Sequence, residues 1–397
     1  MIVADFRFEC GKIMAKVLLL GAGTQSLAII PSLHRLGHRI VILTELQPNY
    51  GDKSKFVDKV YRIETSDVNE RLAFVSQVVK QEGIDVIIPM GDADAEFLSK
   101  NKSNFASQRF VIPDYATFLQ GYDKNQLLTL CQEKGYPHPQ TADLSKVDYM
   151  SGELKSFPFP AMLKPNCTTG GRGMVEVKSY EEFAKVYPDL HKEYGEYHLQ
   201  CFIKAGGRQV KVQLYVDEKQ QLVAHSVQHK MRWYPNKAGS NCCARSITDE
   251  HIVDICYNIL RDIKWEGFAD FDTIEDPDSG ELLIMEINPR LPACIKGSIV
   301  AGVDWGEILM NGALGLPQKR YQYKEGVVLR HLGLDILWFL HAENRWHAKP
   351  NWFKFLGSKI YYQDMNGWFD PMPFLTGTWN NVKKLFDPEF KKAKKGV

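Results

Sequence analysis

Apolar runs broken by glycine set the rhythm of the first third of the chain. Lys16-Val-Leu-Leu-Leu20 stops at Gly21, and Gln25 to Leu36 then repeats its apolar positions at helical spacing. Arg39 to Thr44 reads as a second strand, Glu70 to Glu82 as a helix, and Asp85 to Pro89 as a strand leading into Gly91-Asp92. Strands alternating with helices predict a parallel sheet covered on both faces. The first 13 residues fit no pattern and read as an appendage. A further helix is expected to open at Gly121-Tyr122-Asp123-Lys124, run to Lys134 and stop at Gly135. From Pro158 the texture shifts to short strands: Ala161 to Lys164, Met174 to Lys178, His198 to Ile203, Val210 to Val216 and Leu222 to Val227. A helix from Asp249 to Ile263 separates these from two late strands, Phe268 to Ile274 and Leu282 to Ile287. Asp276-Pro277-Asp278-Ser279-Gly280 makes a hairpin turn between that pair. From about Gln318 onward Trp and Phe are frequent, and the sequence closes on Lys391-Lys-Ala-Lys-Lys395.

Composition narrows the class. A length of 397 residues suggests two to three domains at about 150 residues each. The balance of 49 basic against 48 acidic residues argues against nucleic acid, whose binders carry a basic excess. No window offers the ~18 apolar residues of a membrane span, and Asp5, Arg7 and Glu9 interrupt any signal peptide. The eight cysteines form no CxxC pair and no zinc spacing, which fits reduced thiols in a cytoplasmic protein. The expected partners are therefore small molecules, not nucleic acid or membrane, with a homodimer open.

Three motifs carry chemistry. Gly21-Ala-Gly23-Thr-Gln-Ser26 follows a strand and opens a helix, with Glu45 near the end of the next strand. It is either a dinucleotide loop or a compact turn, and its third glycine is missing. The second runs from Lys164, at a strand end, through Thr168, Thr169, Gly170, Gly171, Arg172 and Gly173. The lysine can meet phosphate oxygens, and the glycines let backbone N–H groups fold over a polyphosphate. No Walker A or kinase signature accompanies it. The third pairs Asp270-Phe271-Asp272 with Glu286-Ile-Asn288-Pro-Arg290 on the two strands of the late hairpin. Residues two apart share a face, so Glu286 and Asn288 point one way, as do Asp270 and Asp272. Clustered carboxylates repel unless a cation sits among them, and oxygen ligands of this kind suit Mg²⁺ beside phosphates. Arg290 could clamp a developing negative charge.

The order of these elements resembles the ATP-grasp superfamily: Asp123-Lys124, Lys164 with its glycine-rich loop, Gln200-Cys-Phe-Ile203, Asp270, then Glu286-Ile-Asn288-Pro-Arg290. The resemblance spans about residues 16 to 315 and looks strongest to the carbamoyl-phosphate-synthase and carboxylate–amine ligase branch. It implies an α/β and α+β protein: a Rossmann-like domain over 1–118, an ATP-grasp domain over 119–316 divided at 203/204, and a C-terminal extension over 317–397. It further implies that Lys124 and Lys164 contact ATP phosphates while Thr168 to Gly173 close over them. Gln200, Cys201, Phe202 and Ile203 would read adenine, with Gln209 near the ribose. Asp270, Glu286 and Asn288 would hold Mg²⁺ (Mn²⁺ as an alternative), with Asp272 competing with Asp270. His229-Lys230-Met-Arg232 falls where acceptor or triphosphate contacts occur in the family, making Lys230 and Arg232 catalytic candidates beside Arg290. The implied activity is activation of a carboxylate as an acyl phosphate and its transfer to an amine. A bicarbonate-activating enzyme, a non-catalytic ATP binder and a dinucleotide oxidoreductase remain as rivals. The Trp-rich segment around Trp346, Trp352 and Trp368 is expected to form an accessory core.

Overall fold

The computed structural model describes residues 7–9, 12–168, 171–235 and 239–386. The N-terminal appendage contains a short antiparallel hairpin of β1 (Arg7–Glu9) and β2 (Lys12–Met14). A parallel sheet follows, ordered β5-β4-β3-β6, from β3 (Lys16–Leu20), β4 (Arg39–Thr44), β5 (Lys59–Arg62) and β6 (Val86–Pro89). Helices α1 (Thr24–Arg35), α2 (Val68–Glu82) and α3 (Asp92–Lys100) connect it. The central strands are buried on both faces, which is why they read as unbroken apolar runs. Edge strand β5, Lys59-Val-Tyr-Arg62, carries charge at both ends and lacks that signature.

The helix expected to run to Lys134 and stop at Gly135 is present, and a second helix precedes it. α4 (Tyr115–Tyr122) ends where Asp123 caps α5 (Lys124–Lys134), its carboxylate accepting from the N–H groups of Asn125 and Gln126. Gly121 lies inside α4 because the Trp265 ring fills the space a side chain would need. A four-stranded antiparallel sheet comes next, ordered β7-β10-β8-β9: β7 (Thr141–Asp143), β8 (Ala161–Pro165), β9 (Val175–Val177) and β10 (Tyr197–Cys201). It packs on α6 (Tyr180–Tyr194) through Leu163, Val177, Phe183, Tyr187 and Leu199.

The largest sheet has seven strands, ordered β15-β14-β11-β12-β13-β16-β17. Its strands are β11 (Gln209–Val216), β12 (Leu222–Tyr234), β13 (Ser240–Ile247), β14 (Gly267–Glu275), β15 (Leu282–Asn288), β16 (Val328–Arg330) and β17 (Ile360–Tyr362). β12 runs seven residues past the expected end at Val227, and β13 was not anticipated. One face supplies Val210, Val212, Leu214, Ala269, Phe271 and Ile287 to a core completed by Ile252, Cys256 and Ile259 of α7 (Glu250–Asp262). Two short helices, α8 (Lys296–Ala301) and α9 (Trp305–Leu314), join this unit to the parallel sheet, because Trp305 and Ile308 share a core with Ile29, Ile30 and Leu33.

The last segment adds α10 (Leu332–His341) and α11 (Met372–Phe386). Trp352 stacks on Phe339 with ring centroids 4.0 Å apart, and Trp338 closes on Cys242. The accessory core thus includes Trp352, whereas Trp346 and Trp368 face outward. No helix among the described residues is long and apolar enough to cross a membrane.

Candidate functional site

The second face of the large sheet is polar, and its register assembles the site. Glu286 pairs with Asp272, which lies beside Lys211, which lies beside Gln228; one step on, Asn288, Asp270, Gln213 and Ser226 form a second row. Alternation alone forces this, since the intervening residues of β11, β14 and β15 are the core residues just named.

Lys211 is the central cation. Its Nζ donates to Asp270 Oδ2 and Asp272 Oδ2 at 2.8 Å each. Burial opposes its charge, but the two carboxylates outweigh burial and hold its pKa above the usual lysine value. Asp270 has no exposed surface, and burial lifts its pKa to about 6 despite Lys211. Asp272 goes the other way: burial works against its charge, yet Lys211 holds it below the ordinary carboxylate value. Gln213 Nε2 donates to Asp270 Oδ1 at 3.4 Å, and Ser226 and Ser298 donate in turn to Gln213 Oε1 at 2.7 and 3.1 Å. Asp270 is therefore locked into a buried network, while the side chains of Asp272 and Glu286 are 32% and 33% open. Of the two candidate acids, Asp272 is the one that shares an accessible edge with Glu286.

Asn288 Nδ2 donates to Asp272 Oδ2 at 3.1 Å, and its Oδ1 accepts from Arg290 Nη2 at 3.3 Å. Carboxylates of Asp272 and Glu286 with the amide oxygen of Asn288 form an all-oxygen donor set, which fits Mg²⁺. Among the described residues no three His, Cys, Asp or Glu side chains form a cage.

Lys124, the first residue of α5, reaches the same edge. Its Nζ lies 3.3 Å from Glu286 Oε2 and donates to the Thr168 carbonyl at 2.9 Å. Lys164, next to last in β8, is buried and donates to Gln200 Oε1 on the paired strand β10. Burial, with Lys124 adding to it against the pull of Glu286, brings the Lys164 ammonium down to a pKa of about 8. Gln200 Nε2 is buried without a partner. Of the loop, Thr168 Oγ1 donates to the Arg172 carbonyl at 3.3 Å; Thr169 and Gly170 lie outside the described residues. Gly171 and Gly173 both sit at φ 73°, and a Cβ on Gly173 would come within 2.8 to 2.9 Å of Tyr197 Oη, Pro165 Cγ and Tyr194 Cγ. The segment expected to read adenine is shorter as a strand than expected. β10 stops at Cys201, whose N–H donates to the Gln140 carbonyl at 2.8 Å, and the Phe202 N–H donates to the Pro160 carbonyl at 3.2 Å. Base recognition through N–H groups would fall to Ile203 and beyond. Gln209 lies on the polar face, opposite Lys230.

Lys230 stays with the site: its pKa is lowered by burial and by Lys211, with Asp272 pulling the other way. Arg232 does not. After an irregularity in the β12–β13 register its side chain is buried, with Nε and Nη2 on the two Asp335 oxygens at 2.7 and 2.8 Å. Its Nη1 donates to the Pro350 carbonyl at 2.8 Å, and Arg330 Nε takes Asp335 Oδ2 at 2.6 Å. Arg232 is the rivet that fastens the C-terminal segment to β12, and its donors are spent there.

Arg290 Nη2 also donates to Asp92 Oδ2 at 3.0 Å, tying the hairpin to the N-terminus of α3. Asp92 is buried, and its Oδ1 has no partner. It lines a cavity of about 1080 Å³ at the carboxyl ends of the parallel strands, together with Gly21, Glu45, Glu64, Arg71 and Asp94. Open α/β sheets hold ligands at that edge. The Gly21 turn itself is structural on this side: its N–H donates to the Leu43 carbonyl and its carbonyl accepts from Ser26 Oγ. Sequence reasoning missed Lys211, Gln213 and Asp92. The alternation Gln209-Val-Lys211-Val-Gln213 held the signal for the first two; nothing local marked Asp92.

Comparison with known proteins bears on the fold that carries this site. The family described as "Carbamoyl-phosphate synthase L chain, ATP binding domain" matches residues 123–304. The D-aspartate ligase of Enterococcus faecium (strain Aus0004) is 26% identical over 270 residues, which cover 63% of this chain and 61% of the relative, so the chain spans under two thirds of that protein's length. Among solved structures, the Campylobacter jejuni biotin carboxylase in its β,γ-ATP complex superposes with a TM-score of 0.66 at 17% identity, covering 79% of this chain and 74% of that one. The L-amino acid ligase of Bacillus licheniformis gives 0.60 at 13%, covering 77% and 75%. At such identities the two structures speak for a shared fold.

Proposed function

We propose that the chain is an ATP-grasp enzyme of the carboxylate–amine ligase branch that joins a carboxylate to an amine at the expense of ATP, a reading supported by the ATP-binding family match over residues 123–304 and by the similarity to a D-aspartate ligase. The observation that carries this reading is the 3.3 Å approach of Lys124 Nζ to Glu286 Oε2, which brings an expected phosphate lysine and an expected metal carboxylate to one edge. Lys124 and Lys164 would neutralise the ATP phosphates. Asp272, Glu286 and Asn288 would hold Mg²⁺, with Mn²⁺ the alternative; the ion would offset charge on the transferring phosphoryl group. A carboxylate oxygen attacks the γ-phosphorus, ADP leaves, and Arg290 stabilises the charge on the acyl phosphate. The amine nitrogen then attacks the acyl carbon, phosphate leaves, and the nitrogen gives up a proton. Asp92 Oδ1, buried and unpartnered beside Arg290, would take an N–H of that amine. The cavity favours the amine over the acid, because its lining holds Asp92, Asp94, Glu45 and Glu64 against a single Arg71. Residues 168–173 would close over the phosphates and keep water from the acyl phosphate.

The test is an ADP-release screen across amino acids and small carboxylates, singly and in acid–amine pairs, with bicarbonate as a separate arm. Release that requires an acid–amine pair supports the proposal. Release with bicarbonate alone identifies a bicarbonate-activating enzyme, and MgATP binding without release under any pair identifies a non-catalytic binder. A melting point raised by NAD(H) and not by MgATP would overturn the nucleotide assignment itself.

A further inference from the structure

Ion pairing divides the charges of the large cavity into two unequal sets. Its cation is spent: Arg71 Nη2 holds Asp94 Oδ1, and the guanidinium lies 4.9 Å from the Phe97 ring centroid. Asp94 also accepts from the Gly91 N–H, which closes the N-terminus of α3. Arg290 takes Asp92 Oδ2, and Arg62, beside the rim, is used up on Asp52 and on the carbonyls of Glu45 and Leu46. Three acceptors on the lining are left without a partner among the described residues: buried Asp92 Oδ1 and the exposed carboxylates of Glu45 and Glu64. They stand at opposite ends. Glu45 follows β4 and Glu64 follows β5, whereas Asp92 follows β6 on the other side of β3. A ligand meeting both ends must reach across two strand spacings, ~10 Å.

The span between those ends suits a methylene chain. The turn Gly21-Ala22-Gly23 brings no side chain larger than a methyl group, and Leu43 and Met90 stand beside it. A carboxylate on the ligand would find no free guanidinium or ammonium on this lining. Nor is the N-terminus of α1 open to it: Gln25 Nε2 donates to the Met90 carbonyl, and Gln25 Oε1 occupies the space a Cβ on Gly23 would need. Resting on the ligase reading, we infer that the amine acylated here is a linear diamine or polyamine, its near nitrogen at Asp92 Oδ1 and its far ammonium between Glu45 and Glu64. The near ammonium sheds one proton to water, and the free amine attacks the acyl carbon. The C–N bond forms, the bond to phosphate breaks, and a second proton leaves the nitrogen with the phosphate. The far ammonium keeps its protons throughout and holds the chain in place through charge-assisted hydrogen bonds. A monoamine fills one end alone, and an amino acid such as lysine brings a carboxylate that no cation meets.

The experiment is calorimetric titration of the full chain, with MgADP present, against cadaverine, spermidine, pentylamine and lysine. Cadaverine and pentylamine differ by one ammonium, and cadaverine and lysine by one carboxylate. The expected result is that cadaverine or spermidine binds at least about tenfold more tightly than pentylamine and lysine, an advantage that shrinks as salt rises. In Glu45→Gln/Glu64→Gln the advantage over pentylamine should vanish, whereas Asp92→Asn should weaken cadaverine and pentylamine alike. Thermal stabilisation by MgATP reports that each variant is folded. No binding of either diamine, equal binding of pentylamine, binding of lysine as tight as that of cadaverine, or an advantage that survives the double variant would overturn the inference. The titration needs no turnover, so its failure is distinct from failure of the ligase reading, which shows as no ADP release with any acid–amine pair.

Discussion

Replacing Lys164 with methionine should move stability and ATP binding in opposite directions. The buried ammonium sits at a pKa of about 8 against 10.5 in water, a difference worth about 3 kcal/mol of destabilisation while the lysine is charged. The penalty is present in full below pH 8 and fades as the pH rises toward 10.5, because the folded state gives up the proton first. Methionine removes it. Against that gain stands Gln200, whose Oε1 loses its donor while its Nε2 is already unpartnered, a cost of about 1–3 kcal/mol. The ligand-free variant should therefore melt at or above the parent's temperature near pH 7, and Lys164→Met/Gln200→Leu higher still. MgATP affinity should instead fall by about 10- to 150-fold, the loss of one charged hydrogen bond to phosphate. Calorimetric titration and thermal melts on the same samples read both. A variant that binds MgATP like the parent removes Lys164 from the site. One that loses both stability and affinity means the lysine is a structural member and the burial argument fails.

Other outcomes follow from the same geometry. Glu286→Gln and Asp272→Asn should each cut turnover by about two orders of magnitude or more, the first with little change in the ligand-free melt and the second with some loss of stability, because Lys211 loses one of its two carboxylates; normal turnover in both would return the hairpin to a solvated sheet face. MgATP affinity should decline as the pH rises through about 8, and binding at pH 8 should take up protons as phosphate recharges Lys164, read as a buffer-dependent binding enthalpy. Arg232→Met should cost about 3 kcal/mol of stability, because Asp335 and the Pro350 carbonyl lose buried donors, while kcat and KM per folded molecule stay unchanged; a selective loss of kcat would restore Arg232 to the catalytic set.

The parts of the fold legible in sequence are those where burial is uniform or strictly alternating. β3 and β4 announce themselves because both faces are covered, and β14 and β15 because one face is core and the other polar. β5 and β13 were harder for a physical reason. β5 is a half-buried edge with lysine and arginine at its ends, and β13, Ser240-Asn-Cys-Cys-Ala-Arg-Ser-Ile247, puts small and polar residues in the sheet interior. The packing partners of β13 come from α8 and the C-terminal segment, so no local period marks it.

The site divides along the same line. Asp270 and Asp272 on one strand of the hairpin, and Glu286 and Asn288 on the other, are visible in sequence, since strand geometry alone puts residues two apart on one face. Which acid is free to bind is decided across strands. Lys211 from β11 arrives beside both Asp270 and Asp272 at 2.8 Å, and only the position of Gln213 makes Asp270 the buried member of the pair. Arg232 shows the converse. An arginine two residues beyond Lys230 should share its face, and the register irregularity between them gives it to Asp335 instead, 103 residues away. Spacing within a strand therefore nominates residues for this site, and the pairing between strands elects them. Moving Lys211 rather than either acid tests this: Lys211→Met should leave Asp270 and Asp272 facing each other without their shared cation, raise the pH needed to ionise the pair, and make the ligand-free melting point rise as the pH falls toward the carboxylate range. A melt whose dependence on pH matches the parent's in that range would show that something other than Lys211 keeps the two acids apart.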